Sequence, residues 1–368
     1  MTEQSVITMH KAHINRIGVA VPPHDVHAGF IAHARRMLAD PGHARLFDRA
    51  AQRSGITHRY SALPIAAPGA ASVDADDFYR FGQFPGTARR MELYVQHALA
   101  LAEAAIAKLE LGAGLAGITH LIVVSCTGFS APGLDLQLAG RLHLSPDVER
   151  QMIGFMGCSA AIPALRAAHH IVRSQSSARV LVVNVEICSL HLQETDDLEA
   201  MLSFLIFGDG CAATLISADE SGMVLEDFRA VIIPATEDLI TWKIGDQGFD
   251  MHLSGKVPGR IAQALRQERG RGDADGILRG EGTQTVDLWA VHAGGRSVLD
   301  AVESGLALPA AALAHSRAIL NDFGNMSSAT IMFVLERILR QAKQGGRGMA
   351  MAFGPGMVAE TARFTMAA

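Results

Sequence analysis

A chain of 368 residues with 49% hydrophobic and 19% charged residues has enough apolar material for a large core and is far from a disordered composition. Its formal charge is -5 at pH 7 and its Lys and Arg residues are not gathered into a block, so it offers nucleic acid no basic surface. No apolar run reaches the roughly 18 residues of a membrane span, and the opening MTEQSVITMHKAHINRIG has no basic stretch leading into an apolar one, so a soluble, cytoplasmic protein is expected.

In chain order, INRIGVAVPP reads as a strand ending at Pro22 and Pro23, and HAGFIAHARRMLAD and HARLFDRAAQRS read as helices. Arg45, Arg49 and Arg53 recur every fourth residue in the second helix and share one face. That pattern suits a solvated surface or a clamp for phosphate groups. LPIAAPGAASVDADDFYRFGQFPG reads as irregular, MELYVQHALALAEAAIAKLELG as a long helix, and LIVVSC as a buried strand. A helix at 161–174, a strand at 178–187 and the strand-like GCAATLISA continue the alternation of a sheet covered on both faces. Past Gly222 the pattern starts again. EDFRAVIIPA, VDLWAVH and GRGMAMAFG read as strands; VPGRIAQALRQ, SVLDAVESGL and SSATIMFVLERILRQAK read as helices. Two α/β halves are therefore expected, residues 1–222 and 223–368.

The four cysteines, Cys126, Cys158, Cys188 and Cys211, are widely spaced and form no metal-ligand motif or disulfide framework. Zinc and iron–sulfur sites are not expected. Cys158 lies in GFMGCSAAIPALRAAHH, where Pro163 fits only the first turn of a helix and so places Cys158 just before it. A helix start favours a thiolate, and Gly154 and Gly157 permit a sharp turn that exposes the sulfur. A small core cysteine fits the same stretch. A nucleophilic cysteine needs a base and an oxyanion donor. His292 ends an apolar strand in WAVHAGG, and Asn325 follows Gly324 in NDFGNMSSA; each by itself also suits a structural role.

Together, GFMGCSAA, WAVHAGG and FGNMSSA resemble the type III polyketide synthases, the chalcone synthase-like branch of the thiolase superfamily. The resemblance runs through nearly the whole chain and adds FGDG at 207–210 and the terminal FGPGMVAET. It implies a duplicated, five-layered αβαβα thiolase-like fold, a homodimer, and coenzyme A thioesters as substrates with no cofactor or metal. It makes Cys158, His292 and Asn325 the catalytic triad and Phe207 the gatekeeping aromatic. Arg49 and Arg53 fall where the family holds coenzyme A phosphates, although Leu46 replaces another basic position, and a starter delivered by an acyl-carrier protein stays open.

On the cavity wall, the resemblance places Ala131 and Met251 where chalcone-forming members carry a methionine and an aromatic residue. Cys188 and Thr127 lie on a wall that opens into a tunnel in some bacterial members. These features imply a long acyl-CoA starter, extended with malonyl-CoA to an alkylpyrone or alkylresorcinol. Cys126 matches a cavity cysteine of members that make tetrahydroxynaphthalene from malonyl-CoA alone. A ketoacyl carrier-protein synthase of the third kind shares the triad but condenses once; the HAGG and FGPG contexts favour the iterative branch. A hydroxymethylglutaryl-CoA synthase, a non-catalytic scaffold and a cysteine protease are weaker alternatives, the last two because the residues form a complete thiolase-like set.

Overall fold

A computed structural model describes residues 10–272 and 274–367. The first half opens with β1 (Ala12–Ala20), a short strand β2 (His24–Asp25), helices α1 (His27–Met37) and α2 (Pro41–Arg53), and β3 (Tyr60–Ser61), which pairs with β2. Asp40 caps α2 by accepting from the Gly42 amide, and Pro41 takes the first helical position, where its missing N–H is not needed. The irregular segment that follows is tied together by one buried carboxylate. Asp74 accepts from the backbone N–H groups of Asp76, Phe78 and Tyr79 and from the Ser72 hydroxyl.

Next come the long helix α3 (Thr87–Ala107), β4 (His120–Ser125), α4 (Leu134–Arg141), β5 (Glu149–Gly154), α5 (Ala161–Ser174), β6 (Val180–Glu186), α6 (Leu198–Ile206) and β7 (Gly210–Ser217). The second half holds β8 (Met223–Ile232), a hairpin of β9 (Ile240–Gly245) and β10 (Gly248–Leu253), α7 (Val257–Arg269) and β11 (Leu288–Val291). It closes with α8 (Arg296–Leu306), α9 (Ala314–Phe323), α10 (Thr330–Gln341), β12 (Arg347–Gly354) and β13 (Val358–Met366).

Nine strands join in the order β11-β12-β13-β8-β1-β7-β6-β4-β5. The two halves of this sheet meet where β1, paired along its length with β7, also pairs through Ala12, His13 and Ile14 with the start of β8. Layering follows from side-chain alternation. Leu121, Val123, Leu181 and Val183 face one way and pack against Ala98, Leu101 and Ala102 of α3. Their neighbours Ile122, Val124, Val180 and Val182 face the other way, onto Ile162 and Leu165 of α5 and Ile331 and Val334 of α10. Ala350, Ala352 and Ala362 from the second half join that same central cluster. On the far side, Trp289, Val291, Met349 and Met351 pack against Ile261 and Leu265 of α7 and Leu299 and Val302 of α8. Helix, sheet, helix pair, sheet, helix is the five-layered arrangement. Because α5 and α10 are sandwiched, each large aliphatic side chain buried there contributes about 1.5–3 kcal/mol.

Several elements differ from the sequence expectation. β1 ends at Ala20, before the prolines, and β8 begins at Met223, ahead of the expected EDFRAVIIPA. Among the described residues no helix is long and apolar enough to cross a membrane.

Candidate active site

Cys158 lies in a 3-10 turn, Gly157–Ser159, between β5 and α5. Gly157 has a φ of +61°, and a Cβ on it would come 2.4 Å from Pro355 Cδ, so only glycine lets this turn rest against the Gly354–Pro355 segment. Pro163 occupies the first turn of α5, as the sequence requires.

His292 follows β11, its backbone N–H donating to the Met351 carbonyl at 2.8 Å. A Cβ on Gly294 would come 3.3 Å from the His292 ring, which accounts for the small residue there. The imidazole is buried, and neither ring nitrogen has a hydrogen-bond partner among the described residues. Such nitrogens are free for a substrate.

Asn325 follows Gly324, whose φ of +69° turns the chain sharply after α9. Its Oδ1 accepts from the Ser327 backbone N–H at 2.9 Å and the Thr330 hydroxyl at 3.3 Å, which fixes the amide so that Nδ2 is the outward donor. Nδ2 lies 3.9 Å from Cys158 Sγ and donates to the Gly294 carbonyl at 3.3 Å. The Asn325 backbone is clipped to the gate segment: its N–H donates to Ile206 O at 2.8 Å, and Gly208 N–H donates back to its carbonyl at 2.9 Å.

Cys126, Thr127, Cys158, Cys188, Phe207, Met251, His292 and Asn325 all line one mostly apolar chamber. Trp242, Ser327, Gly354 and Pro355 also line it and were not foreseen. Trp242 Nε1 donates to the Cys126 carbonyl at 2.8 Å, fastening the β9–β10 hairpin over the chamber. Two expected wall or binding residues lie elsewhere. Ala131 is exposed on the loop before α4, outside the lining of its own chain's chamber. Arg53 lines an open groove together with Arg296, while Arg49, one helical turn earlier, does not. The groove shares Leu253, Val257, Gly294 and Val298 with the chamber, so the two adjoin.

Burial dominates the electrostatics. It pushes the Cys158 thiol up to about 11, against the opposing pull of hydrogen bonds from Ser327 and Asn325, and pushes the His292 imidazole down to about 3. A resting thiolate created by the helix start alone is not what this site provides, because the start of α5 lies beyond the 3-10 turn and desolvation disfavours the charged sulfur. Burial thus favours the neutral thiol and the neutral imidazole at neutral pH. A further acid was missed in the sequence. Glu186, at the buried end of β6, accepts from Ser328 Oγ at 2.5 Å, Thr127 Oγ1 at 2.9 Å and the Cys126 N–H at 3.0 Å, and burial pushes it up to about 7. A lone acid closing the apolar run VLVVNVE was its signal. No cluster of three or more His, Cys, Asp or Glu among the described residues is arranged to hold a metal.

A layered α/β protein whose cysteine, histidine and asparagine face one apolar chamber has the form of a thiolase-like acyl-transferring enzyme. Residues 3–220 match the family model for chalcone and stilbene synthases, N-terminal domain, and residues 225–366 match the C-terminal domain. The chain belongs to that family, the type III polyketide synthases, and takes coenzyme A thioesters as substrates. It is 34% identical over 341 residues to the alpha-pyrone synthesis polyketide synthase-like Pks18 of Mycobacterium tuberculosis, covering 88% of this chain and 83% of that protein. It is 31% identical to 1,3,6,8-tetrahydroxynaphthalene synthase of Streptomyces peucetius subsp. caesius, covering 98% and 94%. The crystal structure of PKS-I from the brown alga Ectocarpus siliculosus superposes with a TM-score of 0.82 at 30% identity, covering 98% and 99% of the two chains.

Proposed function

We propose that this synthase loads an acyl group from a coenzyme A thioester onto Cys158 and extends it with malonyl-CoA in repeated decarboxylative condensations. The observation that carries the reading is the convergence of Cys158, His292 and Asn325 on one apolar chamber that adjoins the Arg53 groove. In loading, Cys158 Sγ attacks the thioester carbonyl as its proton passes to a free ring nitrogen of His292; coenzyme A thiolate departs and takes that proton. Malonyl-CoA then loses carbon dioxide. The negative charge developing on its thioester oxygen is stabilised by N–H donors from His292 and Asn325 Nδ2; the enolate carbon attacks the Cys158 thioester, the Cys158 thiolate leaves, and the extended chain, now a coenzyme A thioester, reloads onto Cys158 with release of coenzyme A before the next round. Phe207 and the apolar lining keep water from the acyl-enzyme, while Arg53, with Arg49 beside it on the same helix face, draws the coenzyme A phosphates to the groove.

The starter we favour is a long acyl chain, giving an alkylpyrone or alkylresorcinol. Small or pliable wall residues, Thr127, Cys188 and Met251, support it, as does similarity to a relative named for alpha-pyrone synthesis. A second reading, use of malonyl-CoA alone to make tetrahydroxynaphthalene, is favoured by Cys126 in the chamber wall. Mass spectrometry of products from isotope-labelled malonyl-CoA separates the two, using starters from acetyl-CoA to long fatty and aromatic acyl-CoAs. Alkylated tri- and tetraketides are expected; a pentaketide formed without any starter would replace the first reading with the second.

The working unit we propose is a homodimer. Phe129, Leu136, Met152 and Met156 are large and exposed, on or beside β5, an edge strand paired on one side only.

A further inference from the structure

Behind the wall formed by Cys188 and Phe207 lies a second, small cavity, partly open to solvent; these two residues line both cavities. Phe30, Leu63, Ile65, Val73, Leu192 and Phe204 make its walls largely apolar. Arg59 lines it too, although that residue is only 3% exposed. A buried arginine in an apolar cavity calls for a full account of its partners.

Arg59 Nε donates to His27 Nδ1 at 3.0 Å, and Nη1 donates to the carbonyl oxygens of Phe204, at 3.0 Å, and Phe207. All three acceptors are neutral, His27 because burial pushes its imidazole down to about 4. Nη2 is buried and has no partner. The Phe30 ring packs on the guanidinium at 4.8 Å, and Asp209 and Asp25 act on it as nearby charges, but their hydrogen bonds are made elsewhere. Asp209 accepts from Ser189 and the Ala62 amide, Asp25 accepts from His58, and Asp74 holds its own loop. Burial brings the guanidinium down to about 10, which leaves it charged at neutral pH. A desolvated cation with one free N–H edge is stabilised most by an anion that brings its own acceptor oxygens.

We propose that this rear cavity binds the carboxylate end of an aliphatic chain, with Arg59 as counter-ion and the apolar walls taking the methylenes. Two sources share that chemistry. One is the far end of a starter held at Cys158, a dicarboxylic acyl chain passing Cys188 and Phe207; this source rests on the function proposed above. The other is a free fatty acid entering from solvent. Because Arg59 also holds the Phe207 carbonyl, an occupant of the rear cavity shares a guanidinium with the gate.

Calorimetric titration of the wild-type enzyme with decanoate and with decanol tests the site without any turnover. Decanoate is expected to bind at least about tenfold more tightly, the scale of one charge-assisted pair. In the second arm, kcat/KM is compared for coenzyme A monothioesters of dicarboxylic acids and for plain acyl-CoAs of equal length. A similar preference for the dicarboxylic chain identifies the starter as the source; decanoate selectivity without it identifies the free acid. Arg59→Met and Val73→Phe, each checked by thermal melting, are expected to abolish the carboxylate preference. Absence of any carboxylate preference in both arms, or a preference that survives in both folded variants, would overturn the site. The titration arm stands even if the enzyme makes no polyketide.

Discussion

At the residue scale, the proposed loading step moves one proton from Cys158 to His292. Because moving it from sulfur to nitrogen leaves their joint charge unchanged, the balance between neutral and charged pairs does not depend on pH while both lie far from their outer titrations, pushed up to about 11 and down to about 3. Iodoacetamide alkylation of Cys158 is therefore expected to vary by less than about threefold between about pH 6 and 9. In His292→Gln the rate should rise with pH as a lone thiol ionises, by up to about tenfold per unit. A wild-type rate that climbs in that way would show that the two groups do not work as a pair. Asn325 Nδ2 faces the sulfur, but its assigned task is to stabilise the enolate. Asn325→Ala should lower malonyl-CoA decarboxylation by about 10²–10³-fold and starter loading far less, measured by carbon dioxide release and acyl-enzyme mass; equal losses would remove Asn325 from the enolate step. The chamber positions of these three residues were legible because each closes a strand or helix in a glycine turn. Glu186 and Ser327 were not. Their significance depends on which buried hydroxyls and amides lie across from them, and that is set by packing between distant segments.

At the element scale, the Cys158 turn depends on close approach to Gly354–Pro355. Gly157→Ala would put a methyl 2.4 Å from Pro355 Cδ on a residue held at a φ of +61°. It is expected to cost about 1–3 kcal/mol in denaturant unfolding and to slow acyl loading. Unchanged stability and loading would mean the turn can relax without moving the sulfur. Elements that sequence periodicity missed have physical explanations. β5, ERQMIG, lacks an apolar run because it is the exposed sheet edge, with Ile153 its one buried side chain. β13, VAETARFTM, reads as polar, yet Glu360 is buried against Arg166 and the half-buried Arg363 pairs with Asp227 and Glu281, so ion pairs take the place of apolar side chains in a strand inside the sheet. The β9–β10 hairpin was hidden because its half-exposed face covers the chamber rather than a core.

At the scale of the molecule, the five layers follow from strands such as β4 and β6, buried throughout, which need helices on both faces. The same logic leaves β5 with an uncovered edge and an apolar surface around Phe129, Met152 and Met156. Met152→Asp is expected to halve the mass found by sedimentation, by placing a charge in a dimer interface. A wild-type protein that already sediments as a monomer would contradict the proposed dimer. The long-range feature that sequence conveyed least is the groove, in which Arg53 of α2 meets Arg296 of α8 from the opposite half of the chain. The polyketide synthesis proposed for this enzyme passes through a covalent acyl group on one sulfur. The most direct measurement is the intact-protein mass after incubation with an acyl-CoA and no malonyl-CoA. The wild-type chain should gain the mass of one acyl group and Cys158→Ala should gain nothing; an equal adduct in Cys158→Ala would place the acyl group elsewhere and contradict the account.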